Sequence, residues 1–157
     1  MRKRLIEETR QATSTSDEGW LDLEDLVEVE ISSEDAAHPI ELALAHGEHA
    51  GWRAAVSGKQ TIRLIFPQPQ RVRRILLSFV EESWSRTQEY VLRWSADKGK
   101  TYREIVRQQW NFNPQGASAE IEEHQVELSG VTVLELVITP EIGGGDAVAS
   151  LARLRIA

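Results

Sequence analysis

Two short stretches of this 157-residue chain carry the side chains best suited to holding a ligand. In EESWSRTQEY, Trp84 and Arg86 stand among Glu82, Ser83 and Ser85, in a link between two strand-like runs. A loop tryptophan with polar neighbours can stack on a sugar ring, an aromatic base or a partner's side chain, and the arginine adds a fork of donors. The same tryptophan can instead fold back over the end of the domain. In QQWNFNPQG, Trp110 and Phe112 alternate with Asn111 and Asn113 ahead of Pro114. Aromatic faces beside planar amides suit carbohydrate recognition, because rings cover the apolar face of a sugar while amides bond its hydroxyls. The Trp-x-Phe spacing fits equally an edge strand running into a structural loop. Trp84, Arg86, Trp110, Asn111 and Asn113 are thus the candidate ligand-binding residues.

A second kind of chemistry is suggested by SSEDAAHPIELAL, residues 32–44, where Asp35, His38 and Glu41 could form an acid–base cluster. Pro39 is preorganised for a first helical turn, Asp35 or His38 can cap it, and Glu41 falls near the positive end of the helix dipole. The stretch reads most economically as a helix start, with Ile40, Leu42 and Leu44 as its apolar plug. The chain has no GxSxG, HExxH or phosphate-loop motif and no cysteine nucleophile, so no catalytic residue is assigned and an enzyme is not expected. His46 and His49 have only Glu48 as a neighbouring acid, so a solvated loop is expected there and no metal site.

The elements that must position these residues follow a period of two. Val27, Val29 and Ile31 alternate with acids; Ile62, Leu64 and Phe66 alternate with Thr61 and Arg63; Ile75, Leu77 and Phe79 share a face, as do Tyr90, Leu92 and Trp94. SADKGKTY places Asp97 and Gly99 where a hairpin needs positive φ, and Tyr102 to Gln108 returns from it. His124, Val126 and Leu128 form another apolar face, Ser129-Gly130 turns the chain, and residues 131–138 suit a central strand. After the flexible Gly143-Gly144-Gly145, a terminal strand sets Ala152, Leu154 and Ile156 inward with Arg153 and Arg155 outward. About eight short strands predict an all-β fold, an antiparallel β-sandwich of jelly-roll type. Trp52 and Trp94 are read as core. Residues 1–19, ending in a polar Thr/Ser tract, read as a loosely docked N-terminal arm, and 20–157 as a single domain.

The formal charge of -7 is uneven: residues 60–110 carry 10 Lys/Arg against 5 Asp/Glu, whereas 20–59 carry 2 against 9 and 111–157 carry 2 against 7. An acidic total argues against tight nonspecific nucleic-acid binding, and Arg71, Arg73, Arg74, Lys98 and Lys100 read first as a solvated face. The absence of cysteine fits a reducing compartment. No apolar stretch near the start is long enough for a secretion signal, so the expected location is the cytoplasm of a bacterium.

SSEDAAHPIELAL…GWRAAVSGKQTIRL resembles the discoidin, or coagulation-factor type C, family of galactose-binding-domain-like jelly rolls, and the resemblance continues through YVLRWSADKGKTYREI to SLARLRI, residues 25–157. A narrower likeness, over about the first third, is to the amino-terminal domain of a DNA-repair scaffold. The family resemblance implies a noncatalytic module that binds sugars, lipid head groups, proteins or nucleic acid through loops at one end of the sandwich, and the chemistry of the candidate residues makes carbohydrate the leading expectation. The alternative is a protein-interaction domain, in a nucleic-acid context if the second likeness governs. Sugar-binding members carry calcium, but the family's Asp-Gly at the end of the first helix is Ala45-His46-Gly47 here, which removes a hard oxygen ligand, so no cofactor is expected.

Overall fold

The computed structural model describes residues 19–47 and 49–157; the expected arm therefore lies outside the described residues apart from Gly19. In chain order the elements are α1 (Leu23–Leu26), β1 (Glu28–Ile31), α2 (Glu41–Leu44), β2 (Trp52–Arg53), β3 (Gln60–Val80), β4 (Arg86–Ser95), β5 (Arg103–Phe112), β6 (Ala119–Thr139), β7 (Ser150–Leu151) and β8 (Arg153–Ile156). These strands pair antiparallel throughout.

β3 and β6, 21 residues each, absorb what the sequence reads as two strands apiece. Their register shifts between Ile65 and Arg74, where Pro67 and Pro69 remove ladder donors and Gly130 of β6 takes a φ of 71°. Each strand thereby serves two layers. One layer runs β1-β3-β6-β4-β5, using the first half of β3 and the second half of β6. In the other, the second half of β3 lies between the first half of β6 and β8. β2 and β7 form a short ribbon of their own.

Alternation then aims one face of every strand into the space between the layers. Ile62 and Leu64 enter from one side and Ile75, Leu77 and Phe79 from the other, all 1% exposed or less. Phe79 stacks on Tyr90 across the gap, ring centroids 5.3 Å apart. Trp52 is fully buried and its indole N–H donates to the Ser33 carbonyl at 3.1 Å. Trp94 is half-buried and packs against the same core. Each such side chain contributes about 1.5–3 kcal/mol relative to exposure. The result is the antiparallel β-sandwich that the alternation predicts.

Local details depart from the sequence reading where partners far along the chain intervene. α2 begins after Ile40, and the side chain that receives the Ile40 N–H is Glu34, at 2.7 Å, rather than Asp35 or His38. Those two pair with each other, Nδ1 of His38 lying 3.2 Å from Asp35. In the hairpin after β4, Lys98 and Gly99 take positive φ, while Asp97 folds inward to accept from Ser95 and Thr101. Arg155, expected to face out, is buried because its guanidinium reaches the carbonyls of Ala43, Leu154 and Gly47.

The outer face of the first layer carries an alternating charge ladder. Strand register sets Glu30 opposite Arg63, Arg63 opposite Glu135, and Glu135 opposite Arg93. Glu135, only 1% exposed, receives Nε of Arg63 at 2.9 Å and Nη2 of Arg93 at 2.6 Å. Removing the central anion leaves two guanidinium groups facing one another across a strand. Glu135→Ala is expected to cost about 2 kcal/mol, less than a fully buried pair because both arginines are partly solvated. Urea unfolding of the variant measures this, with a cost below ~0.5 kcal/mol contradicting the ladder's role.

Candidate functional site

The end of the sandwich where β3 passes into β4 gathers the loops that can meet a ligand. The Glu81 N–H donates to the Ser118 carbonyl at 2.8 Å, so the link 81–85 and the loop 113–118 lie side by side. The loop 140–149 is pinned beside them by Ile142 N–H to the Thr87 carbonyl at 2.9 Å. Gly58 N–H to the Ala147 carbonyl, at 3.2 Å, ties the loop before β3 to the same cluster.

Within this end, Glu81 and Arg86 form a bracket around Trp84. One Glu81 oxygen accepts the Ser83 and Trp84 amides at 3.0 and 3.3 Å, and the other accepts Nε of Arg86 at 2.7 Å. Arg86 is buried: Nη1 donates to Gln88 and to the Pro140 carbonyl, and its guanidinium lies 4.7 Å from the Phe112 ring centre. Burial pushes the Glu81 carboxyl up, but Arg86 and the two amides together outweigh it and hold it below its ordinary range. The consequence is a short link whose backbone is tied down while its indole is thrust outward, 67% exposed.

Trp84 stands at a cavity of about 390 Å³ whose charged walls are Arg53, Glu81, Arg86, Glu141 and Asp146. Ala147 and Val148 supply apolar surface, and Gly144, at φ 87°, carries no side chain into it. A smaller depression of about 220 Å³ shares Arg53 and Glu81 and extends toward His38. An open ring, carboxylates and a guanidinium around a cavity of this size are the components that hold a ring-shaped polyol.

Of the five residues singled out from sequence, Trp84 and Arg86 line this cavity, and Trp110, Asn111 and Asn113 lie outside its walls. Trp110 packs against the core with its indole N–H buried. Asn111 accepts the Thr87 hydroxyl at 2.6 Å, across the β4–β5 ladder. Asn113 accepts the Gln115 N–H at 3.0 Å and shapes its own turn. Arg86, taken from sequence as a donor fork toward ligand, instead spends Nε and Nη1 on Glu81, Gln88 and the Pro140 carbonyl, while its Nη2 is buried without a hydrogen-bond partner. Sequence reasoning did not single out Arg53, Glu81, Glu141 or Asp146. The signal for the last two was the Gly143–Gly145 run between them, a bare backbone flanked by acids.

A larger concavity of about 610 Å³ lies at the opposite end, against Glu28, Arg63, Lys98 and Tyr102. Neither of its aromatic rings is open: Phe66 is buried in the core, the Arg93 guanidinium sits 4.4 Å from the Tyr102 ring centre, and Arg63 is held by Glu30 and Glu135. Two arginines of the arginine-rich run are likewise paired: Arg71 meets Glu127 at 3.3 Å and Arg74 meets Glu123 at 3.7 Å. Calcium does not fit at the end of α2, because the Arg155 guanidinium already occupies the Ala43 and Gly47 carbonyls. A fixed cation there repels a second one.

No family model and no curated protein sequence matches the chain. Solved structures do. A family 32 carbohydrate-binding module from Clostridium perfringens, in complex with GalNAc-β-1,3-galactose, is 18% identical with a TM-score of 0.63, covering 88% of this chain and 99% of that one. Another from the same organism, in complex with galactose, is 14% identical with a TM-score of 0.61 over 87% and 96% of the two chains. A chitosan-binding module from Paenibacillus sp. IK-5 is 17% identical with a TM-score of 0.63 over 87% and 98%. At such identities the likeness speaks to architecture, and on that ground this chain has the β-sandwich fold that these modules share.

Proposed function

We propose that this chain is a noncatalytic carbohydrate-binding module whose ligand lies against Trp84 in the cavity at the β3–β4 end. The observation that carries this reading is the indole itself: it is two-thirds exposed, yet its backbone is locked by the Glu81–Arg86 bracket. A link whose backbone is already fixed has less freedom to lose when its ring stacks on a small polar ligand. Similar solved modules described with galactose, chitosan and pectin support the class of ligand.

Trp84→Ala is expected to weaken sugar binding on the order of a hundredfold, in the range of a central aromatic anchor. Its thermal midpoint should stay close to that of the parent, since the ring is largely in solvent. A glycan array followed by titration calorimetry checks both, and unchanged affinity in the variant would sink the reading.

A second reading, a protein-interaction domain, is favoured by apolar tips on neighbouring loops, Val56 at 57% and Ile142 at 50% exposed. It requires a partner that protects this end and is lost on Val56→Ser/Ile142→Ser substitution. Saturable sugar binding that survives that double change decides against it.

A further inference from the structure

A pair that the start of α2 does not use, Asp35 and His38, brings an imidazole to the smaller depression of about 220 Å³, beside Arg53, Glu82 and Ser83. The two residues close a tight turn, and β2 pins that turn twice. The Asp35 N–H donates to the Arg53 carbonyl at 2.8 Å, and the Arg53 N–H donates to the His38 carbonyl at 3.1 Å. The ring is fixed as well: its Nδ1 lies 3.2 Å from Asp35, whose carboxyl the Ala37 amide and then His38 hold below its ordinary range. The other ring nitrogen, Nε2, has no partner among the described residues. This depression and the Trp84 cavity share Arg53 and Glu81, but Trp84 lines only the larger and His38 only the smaller. Glu81 is committed to Arg86 and to the Ser83 and Trp84 amides. Arg53 is exposed and forms no salt bridge among the described residues.

We infer that the smaller depression is a second sugar subsite, in which a unit linked to the one on Trp84 bonds Nε2 of His38, with Arg53 donating to hydroxyls of both units. The inference rests on the reading that the Trp84 cavity binds sugar at all. Val80, 43% exposed, gives the second subsite an apolar patch, as Trp84 and Val148 do the first. Each depression thus combines apolar surface with fixed polar groups, and a free donor fork stands on the wall between them. A single pyranose on Trp84 leaves His38 unused. A second unit joined to it gains the imidazole and Val80 without a further loss of overall translational freedom. An imidazole nitrogen bonds a hydroxyl as donor or as acceptor, so this subsite reads chain length and the position of the linkage rather than charge.

The test starts from a glycan array of linear mono-, di- and trisaccharides, with β-1,4-galactose, β-1,4-N-acetylglucosamine and α-1,4-galacturonate among its series, and the series that binds is titrated by calorimetry on the full chain. The disaccharide should bind on the order of tenfold tighter than the monosaccharide, and the trisaccharide no more than about twofold tighter again. His38→Ala should remove that gain while leaving the monosaccharide's affinity and the melting midpoint unchanged. His38→Gln, which keeps a hydrogen-bonding group at similar reach, should retain most of it. Arg53→Ala should weaken both lengths. If the parent binds mono- and disaccharide alike, or if His38→Ala either leaves the gain in place or lowers both lengths by the same factor, the second subsite is overturned and the sugar reading stands. If no series on the array binds, the sugar reading itself fails and the subsite with it.

Discussion

Arg86→Met is expected to lower the unfolding free energy by about 3 kcal/mol, at the lower end of the range for breaking a buried ion pair from one side. The loss comes from what is stranded. Glu81, whose side chain is 12% exposed, keeps its charge without its partner, and Gln88 and the Pro140 carbonyl each lose a donor. The same change unties the bracket that holds the Trp84 amide, so sugar affinity should fall at least as far as in Trp84→Ala. Adding Glu81→Gln separates the two effects. The double variant no longer buries a lone charge and should regain part of the stability, but it has no salt bridge to order the link and should not regain binding. Chemical denaturation with parallel calorimetry measures both. Full recovery of binding in the double variant would contradict the bracket's role.

Glu120→Gln should act in the opposite sense and only at the upper end of the pH range. Glu120 is 1% exposed, and burial, followed by the charge of Glu122, raises its pKa to about 7 despite a hydrogen bond from Gln88. A folded pKa above the unfolded one means that folding favours the protonated form. Stability linked to this group is therefore fully present below about pH 4.5 and is lost as pH rises to about 7. At about 1.4 kcal/mol per unit, the loss is about 3 kcal/mol by pH 8. His124, which bonds the Tyr90 hydroxyl and whose pKa burial lowers, contributes with the opposite slope across part of the same window. Subtracting the parent profile from the variant's isolates Glu120: Glu120→Gln should gain stability progressively from pH 4.5 to 7, and the gain should level off above that. A pH-independent difference would show that the carboxyl titrates normally in the fold.

The period-two pattern was enough for the architecture because burial on one face leaves little freedom. Ile62 and Leu64, or Ile75, Leu77 and Phe79, can share a face only in a strand, and all are buried. What the pattern cannot convey is that one strand serves two layers, since Phe66-Pro67-Gln68-Pro69 looks like a turn and proves to be a bend within β3. The candidate cavity was half legible. Trp84 announces itself as an aromatic among polar residues, but Arg86 beside it looks the same whether it faces ligand or salt-bridges Glu81, five residues back. Trp110 and Asn111 show the limit from the other side. Their composition suits a sugar, and the strand register turns the first to the core and the second to Thr87. Glu141 and Asp146 reach the cavity through a loop fixed by Thr87 and Gly58, partners about 55 and 90 residues away, and no local pattern encodes such contacts.

The most direct test of the central claim uses the five tryptophans of the chain, Trp20, Trp52, Trp84, Trp94 and Trp110, as separate reporters. Each indole N–H gives its own resonance in a 15N–1H spectrum, and a sugar found on the array is titrated to saturation. The account predicts that the Trp84 resonance moves most, while the buried indole N–H groups of Trp52 and Trp110 stay in place. A saturable titration in which Trp94 or Trp110 moves and Trp84 does not would contradict it.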